Sequence, residues 1–171
     1  YNVDNHIYFN EQALPVQTSD AVNVFYIGAE EKLKFGIFHW DNGIAYQTTS
    51  DQYIMPLPTF VFNSNVYLRT PPIFRKSLTL QVGAELNYHT SFYAQKYNPA
   101  TGMLYVQREK EYGAHPLLNV YGQAQLKVLK MFMVWNHVNQ KMGNNSNYMI
   151  SPGYAMSPSF LRVGISVTFD D

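Results

Sequence analysis

Hydrophobic and polar residues alternate with a period of two along most of this chain, most cleanly over residues 77–88. Leu78, Leu80, Val82, Ala84, Leu86 and Tyr88 fall on one side, and Ser77, Thr79, Gln81, Gly83, Glu85 and Asn87 on the other. A strand sends successive side chains to opposite faces, whereas a helix would scatter these residues around its circumference. The pattern recurs. Leu118, Val120, Gly122, Ala124 and Leu126 alternate with Asn119, Tyr121, Gln123 and Gln125. Leu161, Val163, Ile165, Val167 and Phe169 alternate with Arg162, Gly164, Ser166 and Thr168. Phe60, Phe62, Ser64, Val66 and Leu68 oppose Val61, Asn63, Asn65, Tyr67 and Arg69, and a looser version runs from Phe38 to Gln47. Residues 22–29 and 129–138 are apolar on both sides, so the sequence leaves their inner and outer faces open. An opening strand over residues 5–12 completes a set of eight.

The connections alternate in length. Short ones are predicted near residues 30–34, 71–75 and 127–128, and long ones near 14–20, 50–58, 92–115 and 141–158. Short on one side and long on the other is the layout of an antiparallel up-and-down transmembrane β-barrel. A strand of about 11 residues rises roughly 36 Å, which at a tilt of about 40° crosses a hydrocarbon layer of some 25–28 Å. Residues 1–171 read as one all-β segment of about eight strands, with no linker, internal repeat or second domain.

Composition changes this picture in one respect. The chain is 46% hydrophobic and 16% aromatic but only 14% charged, against roughly a quarter charged in a typical soluble domain. The polar faces are built from Asn, Gln, Ser, Thr and Gly, which suits the wall of a lumen better than a surface facing bulk water. The soluble alternative is a β-sandwich binding module. So many aromatics exclude disorder, and no run approaches the roughly 20 apolar residues of a helical span. Twelve basic residues balance twelve acidic ones, against the basic footprint of a nucleic-acid partner. With no cysteine there is no disulfide, thiolate metal site or thiol nucleophile.

If the parity holds, Asp41, Asn63, Asn65, Arg69, Gln81, Glu85, Asn119, Gln123, Gln125 and Arg162 face a lumen. Trp40, Tyr46, Tyr88, Tyr93, Trp135 and Phe169 fall near predicted strand ends, where interfacial girdles place rings that tolerate the headgroup zone. The five histidines (His6, His39, His89, His115 and His137) show no ligand spacing. Asp41 and Glu85 share the inward parity but read as static wall charges rather than an acid–base pair, and no G-x-S-x-G elbow is present. The expectation is therefore no enzymatic activity, cofactor or metal. Arg108-Glu109-Lys110-Glu111 reads as a solvated hairpin tip, or else as part of a loop folding inward. Asn144-Asn145-Ser146-Asn147 reads as a turn tract.

The closing stretch from Phe160 through Val163, Gly164, Ile165 and Val167 to Phe169 resembles the C-terminal signal strand of bacterial outer-membrane barrels. It departs from that pattern in the Asp170-Asp171 extension. Further segments are similar to landmarks of the Bacteroidetes putative porin family. They are His6-Ile7-Tyr8-Phe9-Asn10, Ala13-Leu14-Pro15-Val16-Gln17, Tyr46-Gln47, Leu57-Pro58, Leu80-Gln81-Val82-Gly83-Ala84, residues 88–94, residues 97–102 and His137-Val138-Asn139. The resemblance implies the C-terminal part of a larger outer-membrane barrel, passing small polar solutes passively. It also implies lipid and the barrel-assembly machinery as partners, with other outer-membrane proteins as further candidates. A non-conducting structural or docking barrel is the alternative. Val134 departs from the family, which often places a basic residue there.

Overall fold

The computed structural model describes residues 1–74, 77–140 and 149–169. Arg75, the Asn144 to Asn147 tract and Asp170-Asp171 lie outside the described residues. Among those described, the strands in chain order are β1 (Asn2–Val3), β2 (Ile7–Phe9), β3 (Pro15–Gln17), β4 (Val22–Phe35), β5 (Phe38–Thr49), β6 (Phe60–Arg69) and β7 (Leu78–His89). They continue with β8 (Lys96–Asn98), β9 (Met103–Tyr105), β10 (Leu117–Leu126), β11 (Leu129–Asn136), β12 (Met149–Ser151), β13 (Tyr154–Ala155) and β14 (Phe160–Val167).

One eight-stranded sheet dominates, in the order β1-β4-β5-β6-β7-β10-β11-β14, and its registers are antiparallel throughout. The sheet is open: β14 pairs only with β11, and β4 beyond Val24 pairs only with β5. The predicted all-β, up-and-down meander is present, but the barrel is not closed within this chain. Chain neighbours are sheet neighbours, and the connections alternate as expected. Residues 36–37, 70–77 and 127–128 connect one end, while 50–59, 90–116 and 137–159 connect the other.

Two expectations about the strands of the main sheet are corrected. Residues 5–12 do not supply the eighth strand: β2 pairs with β3 in a separate hairpin, and the two-residue β1 occupies the sheet edge instead. The turn expected at residues 30–34 is strand, because β4 runs on to Phe35. Glu30, Lys32 and Lys34 alternate onto the polar face there, so the charges extend the strand pattern instead of ending it. The turn falls at Gly36-Ile37, where Gly36 takes φ 61°, as tight two-residue hairpins require. Lys127 does the same at φ 51°, a conformation that costs a residue with a Cβ.

Buried apolar side chains among the described residues are Ala13, Val22, Ala94, Val106 and Pro152. All belong to the end of the sheet carrying the long connections, where loops pack on one another. The Val106 N–H donates to the Phe9 carbonyl at 2.9 Å, tying the 90–116 connection to the β2–β3 hairpin. Buried Gln107 donates from Nε2 to the Ala94 and Lys110 carbonyls at 2.8 and 2.9 Å. Its Oε1 accepts from the N–H groups of Glu109 and Lys110. Arg108 sits 4.3 Å over the Tyr53 ring, which meets Tyr8 edge-on at 6.3 Å. The Arg108 to Glu111 run is thus not a free hairpin tip; the β8–β9 tip is residues 99–102.

Candidate lumen wall

Register across the main sheet fixes which side chains share a face. One row aligns Lys32, Asp41, Asn65, Glu85 and Asn119; the next aligns Lys34, His39, Tyr67, Gly83, Tyr121, Val134 and Arg162. A third runs Arg69, Gln81, Gln123, Phe132, Gly164. All ten residues assigned inward from sequence, from Asp41 to Arg162, occupy this one polar face. The two segments left open are also settled: Lys130, Phe132 and Val134 lie on the polar side, and Phe25, Ile27 and Ala29 on the other. Arg162 stands directly across from Val134, so the neighbouring strand supplies a cation beside that position.

The opposite face is apolar from edge to edge and uncovered. Ile27 is 59% exposed, Val82 54%, Met133 51%, Val163 69% and Ile165 68%. Its interruption is a lateral row of Glu31, Asn42 and Ser64. There Trp40 Nε1 donates to Ser64 Oγ at 2.9 Å, and Ser64 Oγ donates to Asn42 Oδ1 at 2.8 Å. Rings border this face at both ends. Trp40 stands with Phe35 and Phe38 at the short-turn end, while Tyr46, Phe60, Tyr88 and Trp135 stand at the other. Tyr46 packs edge-on against Phe25 at 6.4 Å, and Trp135 Nε1 donates to Ser159 Oγ at 2.9 Å. Phe169 follows the end of β14 and is 85% exposed. Tyr93 differs from expectation: it lies within the 90–116 connection, not at a strand end. In the closing strand, Val163, Ile165 and Val167 take the apolar face, and Phe160 and Gly164 the polar one.

Hydrogen bonds tie the middle of the polar face together. Gln123 Nε2 donates to Gln81 Oε1 at 2.8 Å, Gln81 Nε2 to the Tyr121 hydroxyl at 3.1 Å, and that hydroxyl to Asn65 Oδ1 at 3.0 Å. Asn87 Nδ2 donates to Glu85 Oε1 at 3.1 Å, and His39 stacks on Tyr67 with centroids 4.7 Å apart and planes 5° from parallel. Sequence reasoning passed over Tyr67, Tyr121 and Phe132. Their signal was the inward glycines Gly83 and Gly164, which leave room that a neighbouring ring fills. Among the described residues no ion pair links two charges of this face; the ion pair observed is Lys96 with Glu109, 3.4 Å apart in the loops. The wall charges thus face neutral polar groups and the open side of the sheet, not opposite charges, an arrangement that an apolar core would make costly.

A family model described as "Putative porin" matches residues 1–171. No curated protein and no solved structure matches the chain.

Proposed function

The chain belongs to the "Putative porin" family, and from that premise we propose that it forms the wall of an outer-membrane β-barrel channel. The channel passes small polar solutes by passive diffusion. The carrying observation is the two-faced sheet: an uncovered apolar side, bordered by rings, backs a polar side whose charges, among the described residues, form no ion pair with one another. In water the apolar side would far exceed the few hundred Å² that monomers usually expose, and among the described residues no second large sheet packs on it as a sandwich would require. In a bilayer the same side is solvated by lipid, and the polar side keeps a wet path open.

The open edges extend the proposal. Lipid supplies no hydrogen bonds, so each unpaired edge N–H or C=O costs several kcal/mol. The edges of β4 and β14 are paired in the membrane by further strands, making this chain part of a larger barrel. A barrel of only about eight strands would fill its interior with side chains. The exposed edge and apolar face of β14 suit recognition by the barrel-assembly machinery.

The packed loop layer favours a second reading, a plugged barrel that serves as a docking scaffold. Planar-bilayer recording of the full-length protein separates the two. Stepwise conductance supports the channel, and a folded, detergent-extracted barrel that stays silent contradicts it.

A further inference from the structure

Two glycines on the polar face, Gly83 and Gly164, lie against aromatic residues. A Cβ at Gly83 would stand 2.6 Å from Tyr67 Cβ and 2.8 Å from Tyr121 Cζ. At Gly164 it would run into the Phe132 ring. Tyr121 starts on β10, crosses β7 at Gly83 and reaches Asn65 on β6 with its hydroxyl. Its ring therefore crosses over β7 at Gly83, between that strand and the open side. With the His39–Tyr67 stack, the rings cover six consecutive strands, from β5 to β14. Strands spaced about 4.8 Å and tilted about 40° make such a row climb roughly 3 Å per strand, so the ribbon rises obliquely along the wall.

Beside the rings run the linked amides of Gln81, Gln123 and Asn65. Each amide has donor or acceptor capacity beyond the bonds it makes. Flat apolar surfaces flanked by planar amides complement a pyranose, whose C–H face stacks on a ring while its hydroxyls exchange hydrogen bonds with amides. Arg69 stands across from Gln81, and Lys34 and Arg162 lie at the two ends of the ring row, but the rings and amides between them are neutral and suit uncharged hydroxyls better than an anion that needs paired cations.

We propose that this ribbon is a binding track for neutral oligosaccharides, an inference that rests on the channel reading and specifies its solute. The test is planar-bilayer recording of the full-length protein with maltohexaose on one side, against a polyethylene glycol of equal hydrodynamic size. Maltohexaose is expected to give resolved current interruptions, and the glycol only a steady reduction by volume. Tyr121→Ala and Phe132→Ala should each shorten the interruptions about tenfold, equivalent to roughly 1.4 kcal/mol. Tyr121→Phe, which keeps the ring, should shorten them less. The wild-type comparison stands alone should the alanine variants fail to fold. A conducting channel on which maltohexaose acts like the glycol, or on which the alanine variants change nothing, overturns the track and leaves the channel intact. A channel that never conducts overturns both.

Discussion

Gly83 and Gly122 are both glycines in the middle of long strands, yet their faces give them opposite tolerances. Gly83 is roofed by Tyr67 and Tyr121, whereas a Cβ added at Gly122, on the apolar face, would meet nothing within 4 Å. Gly83→Val forces one ring or the backbone to move, a cost of about 1–3 kcal/mol. Gly122→Ala adds a methyl group to the uncovered apolar face and restricts the unfolded chain, for an expected gain of about 0.5–1 kcal/mol. Urea unfolding in lipid vesicles followed by tryptophan fluorescence should move the midpoint down for the first and up for the second. Equal midpoint shifts would contradict the assignment of the two faces. Neither contact is legible from one strand alone. A ring over a glycine depends on the register between strands distant in sequence, and only that glycine's inward parity hints at it.

At the scale of elements, strands whose two sides differ in polarity were legible, and those without that contrast were not. β7 and β10 could be read residue by residue because their aliphatic positions from Leu78 to Leu86 and from Leu118 to Leu126 face the same way. β4 was shortened in the reading because Glu30, Glu31, Lys32 and Lys34 resemble a solvated turn; three of them continue the polar side, and only Glu31 breaks it. The loop layer was illegible for another reason. Gln107 is held locally by Glu109 and Lys110, but its bond to the Ala94 carbonyl, like the contact of Arg108 with Tyr53 on another connection, joins segments that no local pattern links. One loop group gives a pH test. Burial, then the nearby His89 and Lys110, hold His115 below its ordinary pKa of 6.5. The loosened loop therefore binds the proton more readily than the packed one, so protection falls as pH drops through 6.5 and levels off below the lowered folded value. Hydrogen exchange over residues 112–117, corrected for intrinsic rate, should rise between pH 7.5 and 5.5, and His115→Asn should abolish the rise. Unchanged protection in the wild type would contradict it.

The whole molecule is an open, two-faced sheet with a packed loop layer at one end, and the family match covers all of it. Its energetics in water and in lipid run opposite ways. The surface and edges that would make it aggregate in solution are those that a bilayer and further strands satisfy. The central claim is that one face meets lipid and the other water, and the absence of cysteine from the sequence allows a direct test. Single cysteines placed at each position of β7, with the protein in sealed vesicles, are probed with a membrane-impermeant maleimide. Positions 79, 81, 85 and 87 should react and positions 80, 82, 84 and 86 should stay protected, whereas equal labelling of both sets would contradict the account.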